Sequence, residues 1–89
     1  MLAIARFSIA LSQAKDFRTD LEAARDALAE APGFIDAQIG QNLDDQTLWV
    51  LSTQWENIGS YRRALSAMRS KLEAIPVLAL AIDEPGAYE

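Results

Sequence analysis

The apolar and polar positions in the first third of the chain predict a strand followed by a helix. Residues 2–11 are mostly apolar, and their side chains alternate in part between a dry face and a mixed face, as in a half-buried strand. The next apolar residues are spaced as on one face of a helix that we predict over residues 13–30: Phe17, Leu21, Ala24 and Leu28. Ser12 is a suitable N-cap for this helix, and Pro32 with Gly33 ends it.

The remaining pattern predicts two further strands, a second helix and a last strand. Residues 34–42 and 47–55 alternate again, and the polar residues 43–46 between them suit a hairpin turn. Asn57 is placed to cap the second helix, whose apolar stripe consists of Ile58, Tyr61, Leu65, Met68 and Leu72. Pro76 ends the helical region, and the wholly apolar residues 77–82 predict a buried final strand.

The order β-α-β-β-α-β within 89 residues predicts a single domain, residues 1–89, with an α+β ferredoxin-like fold. Two amphipathic helices cover only one face of a four-stranded antiparallel sheet. The driest face should be the covered one: Phe7, Ile9, Ile35, Ile39, Trp49, Leu51 and Trp55. The opposite face carries Ile4, Leu48 and Val50 among polar residues, which predicts a homodimer formed sheet to sheet about a two-fold axis. Arg6 and Asp36 are candidates for an ion pair within that interface.

Composition excludes several classes of function. Hydrophobic residues make up 51% of the chain, charged residues make up 24%, and the net charge is -5, with no basic cluster beyond Arg62 and Arg63. Nucleic acids and anionic membrane surfaces are therefore not expected partners. The absence of cysteine and histidine excludes thiolate nucleophiles, cysteine-based metal sites and imidazole bases. No export signal or bilayer-length apolar segment is visible, so we expect a cytoplasmic protein.

Aromatic side chains are the best candidates for a binding site. Trp49 and Trp55 project from the covered face of one predicted strand, and Tyr61 begins the stripe of the following helix. Together with Phe7, Phe34 and Met68 they either line a cavity or simply fill the core. Two features favour a cavity: buried indole and phenol groups need hydrogen-bond partners, and alanines on the same face leave space. No pair of carboxylates and no glycine-rich phosphate loop is suitably placed for catalysis.

Four segments, taken in order, resemble the antibiotic biosynthesis monooxygenase family over residues 2–83. They are Ala-Pro-Gly-Phe at 31–34, Asn-Leu-Asp-Asp at 42–45, the tryptophan that ends the third strand, and Ser-Tyr-Arg-Arg-Ala at 60–64. The resemblance implies a ferredoxin-like domain that pairs into a dimeric α/β barrel. Some members are cofactor-independent oxygenases that convert phenolic polycyclic aromatics into quinones with O2. Others degrade haem with a histidine ligand, and this chain has no histidine.

The resemblance also implies roles for particular residues. Trp55 and Tyr61 match the tryptophan and tyrosine that contact substrate in the quinone-forming members, whereas Leu51 stands where those members have an asparagine. Our first hypothesis is a dimeric, cofactor-independent monooxygenase for a small aromatic or polycyclic phenolic substrate, with no metal. Trp55 and Tyr61 are its predicted catalytic residues, and the predicted substrate pocket contains Phe7, Trp49, Leu51 and Met68. A non-catalytic ligand-binding or assembly domain and an isomerase or cyclase are the alternatives.

Overall fold

The computed structural model describes residues 1–89 as one four-stranded antiparallel sheet with helices on one face. The elements are β1 (Leu2–Ser8), a 3-10 turn (Leu11–Gln13), α1 (Ala14–Ala29), β2 (Phe34–Gln41), β3 (Leu48–Trp55), α2 (Ile58–Ser66), α3 (Met68–Glu73), α4 (Ile75–Leu78) and β4 (Ala87–Tyr88). The strand order is β2-β3-β1-β4. The α+β ferredoxin-like prediction is therefore confirmed.

The central pair of strands fixes which side chains face the helices. In the register of β1 and β3, Ala5 lies opposite Leu51 and Phe7 lies opposite Trp49. The predicted stripe of α1 is buried against this face: Phe17, Leu21, Ala24 and Leu28. Each large apolar side chain buried in this way contributes roughly 1.5–3 kcal/mol relative to an exposed position. The core therefore lies between α1 and the two central strands.

One predicted core residue of β2 lies outside this core. Ile35 is 52% exposed. The pairing of β2 with β3 advances from Phe34 to Asp36 across a single step of β3, so Ile35 occupies a β-bulge. A bulge breaks the alternation of faces, and Ile35 therefore does not join Ile39 on the covered face.

The helix boundaries agree with the sequence at one cap and differ at the other. Asn57 caps α2 as predicted, because its Oδ1 accepts the backbone N–H of Ser60 at 2.8 Å. The prediction for Ser12 is wrong: Ser12 lies within the 3-10 turn, and α1 begins at Ala14 without a side-chain cap.

Gly33 has a φ of 89°, and a Cβ at this position would collide with the Ser60 side chain, so the turn into β2 requires glycine.

The second helix is shorter than the sequence predicts. Ala67 is extended, with a ψ of 146°, and separates α2 from α3. The small side chains of Ser70 and Ala74 are completely buried, whereas Met68 and Leu72 are 71% and 70% exposed. The break therefore turns the small residues of α3 inward, and the predicted stripe is wrong beyond Leu65.

The predicted strand at residues 77–82 is also wrong. This segment completes α4 and the turn that follows it, and the final strand is only the two-residue β4. Pro76 lies in the first turn of α4 rather than ending a helix, since proline is tolerated there, where no N–H donor is needed. None of the helices in the fold is long and apolar enough to span a membrane.

Candidate functional site

A cavity of about 290 Å³ lies between the covered face of the sheet, α2 and the end of the chain. Ala3, Ala5, Leu51 and Thr53 line it from the sheet. Leu28 of α1, Tyr61 of α2 and Ile4 of β1 also line it. The remaining lining residues come from the end of the chain and are called the C-terminal wall: Leu78, Ala81, Ile82, Glu84, Gly86 and Ala87. The alanines of β1 leave space that larger side chains would fill, as the sequence suggested.

The size and lining of the cavity limit what it can hold. Ten of its 13 lining residues are hydrophobic, which suits an apolar ligand. An apolar cavity of roughly 150 Å³ accommodates one benzene ring. By the same proportion, the present cavity has space for about two fused rings.

Tyr61 is a polar group at the cavity whose hydroxyl has no protein partner among the hydrogen bonds of the fold. Its ring packs on Trp55, with 5.6 Å between the ring centroids. Burial raises the pKa of the Tyr61 phenol. The hydroxyl therefore remains protonated at neutral pH and is available to donate a hydrogen bond to a bound ligand.

Trp55 lies behind the cavity rather than in its lining. The side chain is 1% exposed and packs edge to face against Phe34. Its indole Nε1 donates a hydrogen bond of 2.8 Å to Oγ1 of Thr53, and it is Thr53 that reaches the cavity. The structure thus brings Trp55 next to Tyr61, as the sequence predicted, but interposes Thr53 at the cavity wall.

The other residues predicted to form the pocket lie at three different places in the structure. Leu51 lines the cavity. Phe7 and Trp49 form a separate aromatic cluster with Phe17, with centroid distances of 5.1 Å between Phe7 and Phe17 and 5.7 Å between Phe17 and Trp49. Met68 is exposed on α3 and does not line the cavity. The structure therefore groups only Leu51, Tyr61 and, indirectly, Trp55.

The C-terminal wall is fastened to β1 by polar contacts. The guanidinium of Arg6 donates from Nε and Nη2 to the two carboxylate oxygens of Glu84, each at 2.6 Å. The Ile4 N–H bonds to the Gly86 carbonyl, and the Ile82 N–H bonds to the Arg6 carbonyl, each at 2.7 Å. Arg6 thus pairs with Glu84 of its own chain, and an ion pair with Asp36 across a dimer interface stays a prediction. The hydrogen bond and charge of Arg6 lower the pKa of Glu84, so this carboxylate is a weak base.

The model of the antibiotic biosynthesis monooxygenase family matches residues 1–71, which is most of the chain. The chain belongs to this family. No curated protein matches the sequence. The match includes the cavity residues of β1 and β3 and also Tyr61, but it ends before the C-terminal wall. The wall is therefore the part of the cavity that the family pattern does not describe.

Solved structures share the fold of this family member at low sequence identity. SnoaB, a cofactor-independent oxygenase from Streptomyces nogalater, is 21% identical over 91% of this chain and 82% of its own, with a TM-score of 0.78. A conserved protein from Methanosarcina mazei is 16% identical over 97% of this chain and 84% of its own, with a TM-score of 0.77. PA3566 from Pseudomonas aeruginosa is 18% identical over 92% and 83%, with a TM-score of 0.72.

Sequence reasoning missed two polar residues of the cavity, Thr53 and Glu84. A signal for Thr53 was present, because it is the one polar side chain between Leu51 and Trp55 on an otherwise dry strand face. No such signal marked Glu84. It lies in an acidic turn segment, and its position depends on the pairing of the chain end with β1.

Proposed function

We propose that this chain is a cofactor-independent monooxygenase that oxidises a phenol of about two fused aromatic rings with O2. The observation that carries the proposal is the apolar cavity of about 290 Å³ in a monooxygenase-family chain, which is lined in part by Tyr61, a residue whose hydroxyl has no protein partner. SnoaB, which has the same fold, is described as a cofactor-independent oxygenase, and this supports the type of reaction.

The chemistry requires little from the protein beyond binding and orientation. The phenol loses its proton to solvent before it binds, and the bound phenolate supplies the electrons that reduce O2. One oxygen atom is added to the ring and the other leaves as water, so that 1-naphthol and O2 give 1,4-naphthoquinone and water. Tyr61 donates a hydrogen bond to the phenolate oxygen, and the apolar walls hold the ring and exclude water. Leu51 contacts the ring, and Phe7, Trp49 and Met68 have no part in this binding site.

Filling the cavity should abolish substrate binding without unfolding the protein. Ala5 lies opposite Leu51 and faces the cavity. Ala5→Leu adds three carbon atoms to the empty space, so we expect at least a tenfold loss of affinity for 1-naphthol, with the free energy of unfolding unchanged or raised, because apolar volume replaces a void. Tryptophan fluorescence titration measures the affinity, and urea denaturation measures the stability.

The matched control is Ala29→Leu, the same substitution at an exposed position of α1, where we expect no change in affinity. Ala5→Leu protein that is folded and binds 1-naphthol as tightly as the wild type would rule out this cavity as the binding site.

One observation favours a second candidate function, a ligand-binding domain without catalysis. The only carboxylate at the cavity is Glu84, and its pairing with Arg6 makes it a poor base. In that case 1-naphthol binds to the cavity, yet an oxygen electrode records no consumption of O2 above that of the buffer.

The open face of the sheet supports a further part of the proposal, a homodimer. Leu2 is exposed there, and Ile4, Leu48 and Val50 are only partly buried. Leu48 and Val50 also line a groove of about 330 Å³ that reaches Phe7 and Trp49. No helix covers this face, and a second copy related by a two-fold axis presents the same mixed apolar surface.

Leu48→Lys should therefore convert the dimer into a monomer, because two charges would enter the interface without partners. Sedimentation velocity at micromolar concentration measures this change. Leu43→Lys, at a turn residue that is 96% exposed, should leave the dimer intact. A wild-type protein that sediments as a monomer would contradict the homodimer.

A further inference from the structure

We infer that Thr53 is the hydrogen-bond donor that selects ligands with an acceptor oxygen, and that Trp55 is the residue that positions it. This inference rests on the proposed function, because it assigns a specificity-determining role within the same cavity.

The position of Thr53 in the sheet brings this residue to the cavity. It lies in the middle of β3, with Ala3 opposite it on β1 and Ala37 opposite it on β2. These two neighbours are too small to cover the threonine side chain. Thr53 is 3% exposed and lines the cavity, so its environment is buried but not filled.

The hydrogen bond with Trp55 determines which way the hydroxyl donates. An indole N–H can only donate, and a threonine hydroxyl has one donor hydrogen and two acceptor lone pairs. Because Nε1 of Trp55 donates to Oγ1 at 2.8 Å, the hydrogen of Thr53 must point elsewhere. No protein atom accepts it among the hydrogen bonds of the fold. The χ1 angle of a β-branched side chain in a strand is restricted, so the hydroxyl keeps this position beside the indole while the residue lines the cavity.

A buried donor without an acceptor favours ligands that carry an acceptor atom. A ligand with a carbonyl or phenolate oxygen satisfies it, whereas a hydrocarbon of the same shape leaves it unpaired. A single neutral hydrogen bond of this kind changes affinity by about two- to tenfold. Thr53 therefore supplies selectivity for an oxygen-bearing ring, and Trp55 acts through Thr53 without touching the ligand.

The experiment compares two probes of nearly equal shape, 1-tetralone with one carbonyl oxygen and tetralin with none, by isothermal titration calorimetry. Wild-type protein should bind 1-tetralone more tightly than tetralin. Thr53→Val should reduce that preference by about two- to tenfold while leaving the affinity for tetralin unchanged, because valine keeps the shape of the side chain and removes its hydroxyl. Thr53→Ser should restore the preference, and Trp55→Phe should reduce it in part, because the hydroxyl is then free to rotate.

Thr53→Val leaves the indole N–H of Trp55 buried and unpaired, so the double variant Thr53→Val/Trp55→Phe provides the same comparison without that penalty. Loss of the preference for 1-tetralone in both variants supports the inference. An unchanged preference in either variant, or an equal loss of affinity for both probes, overturns it while leaving the proposed function intact. Wild-type protein that binds neither probe overturns the proposed function as well.

Discussion

Trp55→Ala should lower the free energy of unfolding by about 3–5 kcal/mol, the range for truncating a large aromatic side chain in a well-packed core. Trp55 is 1% exposed and joins β3 to two other elements through its contacts with Phe34 and Tyr61, at centroid distances of 5.4 Å and 5.6 Å. Its removal opens a void and also leaves Oγ1 of Thr53 without its donor. Urea denaturation followed by circular dichroism measures the loss.

Two variants separate burial from other effects of the substitution. Trp55→Phe keeps a ring against Phe34 and should cost much less than the alanine variant. Met68→Ala removes a long apolar side chain that is 71% exposed, and it should change stability by less than about 0.5 kcal/mol. A Trp55→Ala protein within about 1 kcal/mol of the wild type would show that this indole is not part of the core.

The sequence predicts the first part of the fold well, because its pattern is regular there. The stripe from Phe17 to Leu28 has a single helical period, and buried positions alternate strictly with less buried ones along β3. Local pattern and tertiary packing agree in these elements, so a prediction from either one gives the same answer.

The second half of the chain shows where pattern and packing diverge. Met68 and Leu72 continue the spacing of α2, but the chain breaks at Ala67, and the completely buried Ser70 and Ala74 take the inner positions. A short apolar run such as residues 77–82 fits a buried strand or a helix end equally well by periodicity. Its true conformation depends on the later residues that pair with β1, and these carry only a weak strand signal.

The sequence predicts that free space and a buried hydrogen bond occur at the candidate site, but not which atoms form the site. The small residues opposite Leu51 and Thr53 indicated free space, and the indole of Trp55 indicated a need for a buried partner. Which atom accepts the indole N–H depends on side-chain geometry within β3. The contribution of Glu84 depends on a contact between residues 78 positions apart. Spacing in the sequence contains neither piece of information.

Tyr61→Phe should lower the turnover of 1-naphthol by about 10- to 100-fold, because a donor to the developing oxyanion is lost. This effect is smaller than the roughly 100- to 1000-fold that is usual for such donors, because Tyr61 is only half-buried. Its hydroxyl makes no hydrogen bond within the protein, so the free energy of unfolding should change by no more than about 0.5 kcal/mol. Oxygen consumption and quinone absorbance measure the turnover.

The pH profile provides a second measurement of the same role. A phenol can donate a hydrogen bond only while it is protonated, below its pKa. This ability is lost as the pH rises through the pKa. Because burial raises the pKa of Tyr61, the wild-type rate should increase with pH as 1-naphthol ionises and should fall only on the alkaline side of the ordinary tyrosine pKa. Tyr61→Phe should lack that alkaline fall. Tyr88→Phe, at the only other tyrosine, should retain both the rate and the profile, since Tyr88 lies outside the cavity. Equal turnover in Tyr61→Phe and the wild type would exclude Tyr61 as the donor.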